Sequence, residues 1–218
     1  MLKVLMAVPV GSGSIDIDVL LGIKLVKEFK IKDVYVNEVF LGRTLIHAAR
    51  NAFWNYAIDN GYDYVFFVDD DTIIYKETLL DLLKHKHEAD LITGIYPIRS
   101  KPHLACVYVL TDDGRYAPIA DLGNLDPKEI DGCGMGCALI KVDKTMPADP
   151  FNMIVKEGGN LLGEDFSFCE RYKANGHKII MIPGVRVGHQ IKKEVAYFKT
   201  DNEELVIKEN SQIKLSWS

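Results

Sequence analysis

The chain has 218 residues, of which 48% are hydrophobic and 26% are charged. Such a length and composition are typical of a globular protein with one domain, or two small ones, and a sizeable core. The formal net charge of -5 argues against nucleic-acid binding, a function that favours a basic surface.

The sequence also bears on the compartment. No apolar run approaches the roughly 18 residues that a membrane-spanning helix needs, and residues 1–9 form too short a stretch for a secretory signal. The four cysteines form no CxxC pair, so we expect plain thiols in a reducing compartment, not a zinc knuckle or a redox dithiol. We therefore predict a cytoplasmic protein with no transmembrane segment.

The first half of the chain alternates short apolar runs with amphipathic stretches. The apolar runs predict strands at residues 4–8, 34–36, 64–68 and 91–96. Helical spacing of apolar residues predicts helices after an N-cap at Ser14, over 44–60 and over 76–88. Pro9 is expected to end the first strand. This βαβαβαβ order is typical of a mostly parallel sheet with helices on its faces.

The second half has a mixed β/α character. Strands are predicted at residues 104–110, 115–119, 138–142 and 178–182, and a helix over 164–175. Asp112-Asp113-Gly114 indicates a hairpin, and Pro183-Gly184 indicates another turn. From about residue 192 the pattern weakens, which predicts a peripheral C-terminal segment. No linker separates the halves, so we predict a single α/β domain over residues 1–218.

The strand at 64–68 runs directly into three carboxylates, Asp69, Asp70 and Asp71. Its five consecutive apolar residues indicate a central strand, and open α/β sheets bind ligands at the carboxyl ends of such strands. Clustered like charges beside a core repel one another, and a divalent cation would compensate them. If the strand geometry continues, Asp69 and Asp71 share one side of the sheet and Asp70 does not. A solvated acidic turn is the competing interpretation.

Two further polar sites are ambiguous from the sequence. Glu164 and Asp165 begin a predicted helix, where the helix dipole favours acidic residues but where a general base could also lie. His189 follows a strand and a glycine. A lone histidine is more often structural than a ligand, although imidazole does coordinate manganese-like ions beside carboxylates. Its role depends on whether it meets Asp71 in the fold.

The basic residues are also open to more than one interpretation. Arg50 and Asn51 lie off the apolar stripe of the helix at 44–60, so periodicity alone predicts that they face solvent. Arg99, Lys101 and His103 could contact a phosphate or simply belong to a loop.

One known motif is matched only in part. The run from Asp69 to Ile73 approaches the haloacid-dehalogenase phosphatase pattern, in which Asp69 would be a nucleophile and Asp71 an acid. Ile73 fills its last position, and the strand before it is not near the N-terminus.

Taken together, these residues resemble a family 2-type glycosyltransferase of the GT-A fold. The matching pieces occur in the expected order between residues 4 and 190: Pro9, Ala49-Arg50-Asn51-Ala52, Phe67-Val68-Asp69-Asp70-Asp71, Gly94-Ile95-Tyr96-Pro97, Gly134-Met135-Gly136, Gly163 to Arg171, and Gly188-His189. A departure occurs at residues 10–13, where Val-Gly-Ser-Gly replaces the usual aromatic-Asn after the proline.

The resemblance implies a role for each matching residue. Asp69 and Asp71 would form the DxD pair, with Asp71 the firmer metal ligand and Asp69 nearer the ribose or the ion. His189 would complete the site for Mn²⁺ or Mg²⁺. Asp165, with Glu164 beside it, would be the catalytic base. The residues that would hold the donor nucleotide are Pro9, Arg50, Asn51, Asp69 and Asp70.

The expected activity is a metal-dependent transfer of sugar from a nucleotide-diphosphate sugar donor to a hydroxyl acceptor, which could be a glycan, a protein or a small molecule. Residues 1–100 would bind the nucleotide sugar, 101–190 the acceptor and metal, and 191–218 would be peripheral. Inversion is expected, with the helix N-terminus keeping Asp165 ionised. A phosphohydrolase that uses Asp69 and a non-catalytic nucleotide-sugar-binding module remain alternatives. No nucleic-acid partner is expected.

Overall fold

The structure is a computed structural model that describes residues 1–11, 13–191, 194–198 and 205–209. Its helices are α1 (Ile17–Glu28), α2 (Ile46–Asp59), α3 (Thr78–Leu83) and α4 (Glu164–Ala174), with a short 3-10 turn at Glu157–Gly159. No helix in this described part of the chain is long and apolar enough to cross a membrane.

The strands of the described residues follow in chain order. They are β1 (Leu2–Val10), β2 (Val34–Gly42), β3 (Tyr64–Val68), β4 (Thr72–Ile73), β5 (Leu91–Ile95), β6 (Val107–Leu110), β7 (Tyr116–Pro118), β8 (Lys128–Glu129), β9 (Gly132–Cys133), β10 (Cys137–Lys141), β11 (Ile154–Val155), β12 (Leu161–Leu162), β13 (Ile179–Arg186), β14 (Gly188–Ile191), β15 (Glu194–Phe198) and β16 (Leu205–Glu209).

A central sheet has the strand order β2-β1-β3-β10-β5-β13-β8. The β1–β2, β1–β3 and β5–β13 pairs are parallel, while β10 lies antiparallel between β3 and β5, and β8 is antiparallel to β13. Because β10 belongs to the second half of the chain, its insertion joins both halves into one sheet. The predicted α/β class, with a mostly parallel central sheet and a mixed second half, is confirmed.

Helices cover both faces of this sheet. Buried residues of α2 and α4 pack on one face with Leu5 and Phe67, and buried residues of α1 and α3 pack on the other with Met6 and Phe66. Successive side chains of a strand point to opposite faces, so β1 and β3 contribute to both cores. This explains why the apolar run of β3 does not alternate with polar residues.

Local details at the start of the chain differ from the sequence prediction. The predicted strand end at Pro9 is wrong, since β1 continues to Val10 along β2. Pro9 lies beyond Ala7, the last β1 residue paired with β3, so its missing N–H leaves that ladder intact.

The predicted N-cap at Ser14 is also wrong. Asp16 is the cap of α1, and its Oδ1 accepts a hydrogen bond from the Asp18 amide at 3.0 Å.

Two strands are longer than the sequence suggested. β2 extends to Gly42 as an edge strand, a position that tolerates polar residues because one side of its ladder is open. The turn predicted at Pro183-Gly184 is instead part of β13, which shifts register between Met181 and Arg186. A proline beside a bulge causes little loss of pairing.

A second sheet, in the order β16-β15-β14-β4, carries the C-terminal part of the described chain. Gly188 pairs with Ile73, and His189 pairs with Thr72, in antiparallel register. Of the predicted peripheral segment 191–218, residues 192–193, 199–204 and 210–218 lie outside the described residues. The division of the chain at residues 100 and 190 stays a prediction.

Candidate active site

A cavity of about 580 Å³ lies at the ends of β1, β3 and β5, a size that suits a small-molecule ligand. It collects side chains from distant parts of the sequence. The predicted site residues that line it are Pro9, Arg50, Asp69, Asp70, Asp71, Glu164, Asp165 and His189. Because these residues come from strands, turns and a helix start that are far apart in sequence, only the sheet topology brings them together.

The three aspartates follow β3 in a turn, not in an extended strand. The Thr72 amide donates a hydrogen bond to the Asp69 carbonyl at 3.1 Å, so the chain reverses direction directly after Val68. The condition for separating Asp70 from its neighbours, that strand geometry continues past Val68, is therefore not met. All three aspartates border the cavity. Asp70 accepts a hydrogen bond from the Gly11 amide at 2.9 Å, which ties the end of β1 to this turn.

Arg50 lies at the centre of the acidic residues. It is 2% exposed, so the prediction that it faces solvent is wrong. The buried face of α2 is rotated toward Arg50 and Trp54, while the apolar residues Leu45 and Tyr56 are 69% and 41% exposed. The guanidinium also lies over the Phe67 ring, 5.4 Å from its centroid.

Three carboxylates surround the Arg50 guanidinium. Nη2 lies 3.1 Å from Asp69 Oδ1, and Nε lies 3.4 Å from Asp165 Oδ1 and 3.8 Å from Glu164 Oε1. Burial opposes the charge of Arg50, but Asp69, Asp165 and Glu164 raise its pKa, so it stays cationic. A buried cation that bridges β3 to the start of α4 fixes the relative positions of these acids.

Asp165 has an environment suited to proton transfer. Burial raises its pKa to about 7; Arg50 acts in the opposite direction, and Glu164 and Asp69 add to the rise. The expectation that the helix N-terminus keeps this carboxylate ionised is therefore wrong in direction, because burial disfavours the ionised form. A carboxyl group with a pKa near neutrality can take up and release a proton at working pH.

His189 and Asp71 meet through the pairing of β14 with β4. His189 Nε2 lies 3.2 Å from Asp71 Oδ2, and its Nδ1 lies 2.6 Å from the Pro97 carbonyl. Only a protonated Nδ1 can donate to a carbonyl, so Nε2 of the neutral ring carries the free lone pair. Burial lowers the pKa of His189, which favours that neutral form.

These two side chains fit a divalent cation as a partial set of ligands. Asp71 Oδ2 and His189 Nε2 lie 3.2 Å apart, so both atoms would contact a single divalent ion bound there. The carbonyl bond to Nδ1 is the usual outer support of a metal-bound imidazole. Within the described ranges, no group of three or more His, Cys, Asp or Glu side chains forms a metal site.

Tyr96, which lines the cavity, packs against the glycines of residues 134–136. The Gly136 amide donates to the Tyr96 hydroxyl at 2.9 Å. A Cβ on Gly134 would lie 2.3 Å from that hydroxyl oxygen, and a Cβ on Gly136 would lie 2.7 Å from Thr72 Oγ1. Sequence reasoning named these residues only as motif pieces. The structure explains why glycine occupies positions 134 and 136, because a Cβ there would collide with Tyr96 or Thr72.

Asn51 is the predicted site residue that does not line the cavity. Its amide nitrogen donates to Asn152 Oδ1 at 2.9 Å, and its Oδ1 accepts from the Phe151 amide at 2.9 Å. These bonds attach the loop before β11 to α2. Cys106, which does line the cavity, was missed because nothing near it in sequence marks it.

A second cavity of about 1030 Å³ borders the other side of the α4 start, at Gly163. Its wall includes Phe166, whose ring stacks on Tyr116 with centroids 4.4 Å apart. Lys156 and Asn160 add polar groups. The first turn of α4 thus lies between an acidic cavity and a cavity with an aromatic wall.

Comparison with known proteins supports the fold more than the chemistry. No protein-family model matches the chain, and no curated protein matches it. The chain is similar to the crystal structure of A197 from STIV, with 18% identity and a TM-score of 0.64, over 97% of this chain and 96% of that one. At this identity the likeness shows a shared fold alone.

Two other solved structures resemble this chain more weakly. One is a putative nucleotide-diphospho-sugar transferase from Desulfovibrio desulfuricans G20, with 12% identity, a TM-score of 0.42, and coverage of 84% of this chain and 80% of that one. The other is apo-UDP-glucose pyrophosphorylase, with 10% identity, a TM-score of 0.39, and coverage of 82% and 72%. Likenesses this weak carry no function to this chain, which must be inferred from the site.

Proposed function

We propose that this protein is a metal-dependent glycosyltransferase that moves a sugar from a nucleotide-diphosphate sugar to an acceptor hydroxyl. The observation that carries the proposal is the convergence of Asp69, Asp71, His189 and Asp165 on one cavity. That cavity lies at the carboxyl ends of β1, β3 and β5, where open α/β sheets bind nucleotides.

Asp71 and His189 would hold the Mn²⁺ or Mg²⁺ ion, whose charge stabilises the departing diphosphate. Asp69, which pairs with Arg50, would accept a hydrogen bond from the donor ribose. Pro9 and Asp70 border the same end of the cavity, where the nucleotide would lie. Asp70 contributes by fixing Gly11 at the rim.

Asp165 would act as the base of an inverting reaction. Its carboxylate takes the proton of the acceptor hydroxyl while that oxygen bonds to the anomeric carbon and the bond from carbon to the diphosphate breaks. Glu164 shares the Arg50 guanidinium and helps to hold the base in position. The acceptor would occupy the second cavity, which borders Gly163 at the start of α4.

The phosphohydrolase alternative is less well supported. It makes Asp69 a free nucleophile, but Asp69 is paired with the buried Arg50. Phosphatases of that type also use a lysine at the sheet edge, and no lysine lines the cavity among the residues that the structure describes.

The proposal is tested by donor binding and by transfer. A thermal-shift panel of nucleotide-diphosphate sugars with Mn²⁺ identifies the donor, and calorimetry then compares wild type with Asp71→Ala and Asp165→Asn. We expect Asp71→Ala to lose metal-dependent donor binding, and Asp165→Asn to bind donor normally but transfer no sugar. Metal-independent binding that is equal in wild type and Asp71→Ala would contradict the proposal.

A second measurement separates the alternatives. Turnover of a generic phosphomonoester by wild type, lost in Asp69→Asn, would support the phosphohydrolase. Donor binding without transfer or hydrolysis, for any acceptor tested, would support a binding module with no catalytic role for Asp165.

A further inference from the structure

The charge balance of the candidate active site presents a problem for an anionic substrate. The described side chains that line the cavity include five carboxylates but only two arginines, Arg50 and Arg99. A diphosphate would enter a space that is already negative. One divalent ion offsets only part of this charge, so the available arginines matter.

Arg50 cannot turn toward the substrate. Its side chain is 2% exposed and lies within ion-pair distance of Asp69, Glu164 and Asp165. Moving it would leave those carboxylates unpaired beside the core, which is costly.

Arg99 is in the opposite situation. Its side chain is 67% exposed, and it lies in the loop after β5, between Ile98 and Ser100, which also border the cavity. Its Nη2 donates to Asp71 Oδ2, and its Nε donates to His189 Nε2 at 3.4 Å. Exposed pairs of this kind are weak and exchange partners readily.

The atoms that Arg99 contacts are the same two atoms that would bind the metal ion. Asp71 Oδ2 and His189 Nε2 lie 3.2 Å apart, and the imidazole nitrogen has one lone pair. That lone pair cannot serve the guanidinium and a metal ion together. Metal binding must therefore release Arg99 at the edge of the cavity.

We propose that Arg99 is an exchangeable counter-cation, which occupies Asp71 and His189 in the metal-free protein and binds the donor diphosphate once the metal ion displaces it. This inference rests on the proposed function, since it takes the diphosphate of a nucleotide sugar as the ligand. It assigns Arg99 to substrate binding, with its planar fork of donors suited to phosphate oxygens.

The proposal makes two predictions of opposite sign for Arg99→Gln. Mn²⁺ alone should bind the variant about two- to fivefold more tightly, because the competing guanidinium is gone and an exposed pair of this kind is worth little. Inorganic pyrophosphate, measured with saturating Mg²⁺, should bind about tenfold more weakly, because a charge-assisted contact is lost. A residue with a merely structural role would not move the two affinities in opposite directions.

The experiment uses the full chain. Free Mn²⁺ is followed by its electron paramagnetic resonance signal, and pyrophosphate binding by calorimetry. Arg115→Gln is the matched control, because Arg115 is an exposed arginine paired with Asp113, away from this cavity, and it should change neither affinity. In an Asp71→Asn background, Arg99→Gln should no longer tighten Mn²⁺ binding.

Unchanged or weaker Mn²⁺ binding by Arg99→Gln would overturn the exchange, and unchanged pyrophosphate binding would overturn the diphosphate contact. The result is separable from the proposed function. If nucleotide sugars bind with metal and sugar is transferred while Arg99→Gln behaves as wild type, only this inference fails. If both affinities shift as expected but no nucleotide sugar is used, the glycosyltransferase proposal fails and the cation exchange stands.

Discussion

Replacing Arg50 with methionine tests how much the ion pairs between Arg50 and three carboxylates stabilise the protein. Methionine keeps an unbranched apolar side chain of similar length but removes the charge that three carboxylates share. We expect Arg50→Met to lower the free energy of unfolding by about 3–5 kcal/mol at neutral pH, the usual cost of breaking a buried ion pair by removing one partner.

The magnitude follows from the geometry. The three carboxylate oxygens lie 3.1, 3.4 and 3.8 Å from guanidinium nitrogens, and each such contact is worth about 4–5 kcal/mol at an effective dielectric constant of about 20. Burial of the guanidinium and repulsion among the acids offset most of this attraction. In the variant the offset from guanidinium burial disappears, but the repulsion among Asp69, Glu164 and Asp165 remains without compensation.

The loss of unfolding free energy in Arg50→Met should depend on pH. Arg50 lowers the pKa of Asp165, which burial raises to about 7, so removing Arg50 raises that pKa further. Protonation of Asp165 then relieves part of the repulsion, and the loss should be smaller at about pH 5.5 than at about pH 8. Urea unfolding followed by circular dichroism measures both values, and the double variant Arg50→Met/Asp165→Asn should recover part of the loss at about pH 8.

A loss below about 1 kcal/mol, or a loss that is the same at both pH values, would refute this account of the site. Arg115→Met is the control, because that arginine forms an exposed pair with Asp113 and should change stability by no more than about 0.5 kcal/mol.

Three other predictions concern single residues. Asp165→Asn should stabilise the protein at about pH 8 but not at about pH 4. The folded pKa of Asp165 is raised to about 7, so the stabilising contribution of this carboxyl is lost as the pH rises through that value. Equal stabilisation at both pH values in urea titrations would contradict this. Burial opposes the ionisation of Asp143, but hydrogen bonds from His177 and Thr145 lower its pKa to about 2. The stabilisation that the ionised carboxylate contributes should therefore be lost between about pH 4 and pH 2. In Asp143→Asn, the free energy of unfolding should fall less steeply with pH over this range. Gly136→Ala should lower the free energy of unfolding, measured by urea titration, by about 1–3 kcal/mol, because its Cβ would meet Thr72 and Tyr96. Gly184→Ala, which has open space around it, should cause a smaller loss in the same titration.

Much of the scaffold could be predicted because its signals are local. The apolar run of β3, the acids that follow it and the acidic start of α4 are adjacent in sequence, and strand and helix periods are properties of short segments. The same reasoning failed where a neighbouring element decided the outcome, as at Pro9, which stays in a strand because β2 pairs with it.

The sequence by itself determined the α/β class and located the acidic end of β3, because periodicity and consecutive charges need no knowledge of neighbours. Only the tertiary structure decided that Arg50 is buried among three acids, that β10 enters the sheet between β3 and β5, and that His189 reaches Asp71. Burial also raises the pKa of Asp165, which is opposite to the effect expected from its position at a helix N-terminus. Burial, strand pairing and charge contacts depend on residues far apart in the chain, and those distances are set only when the whole sheet forms.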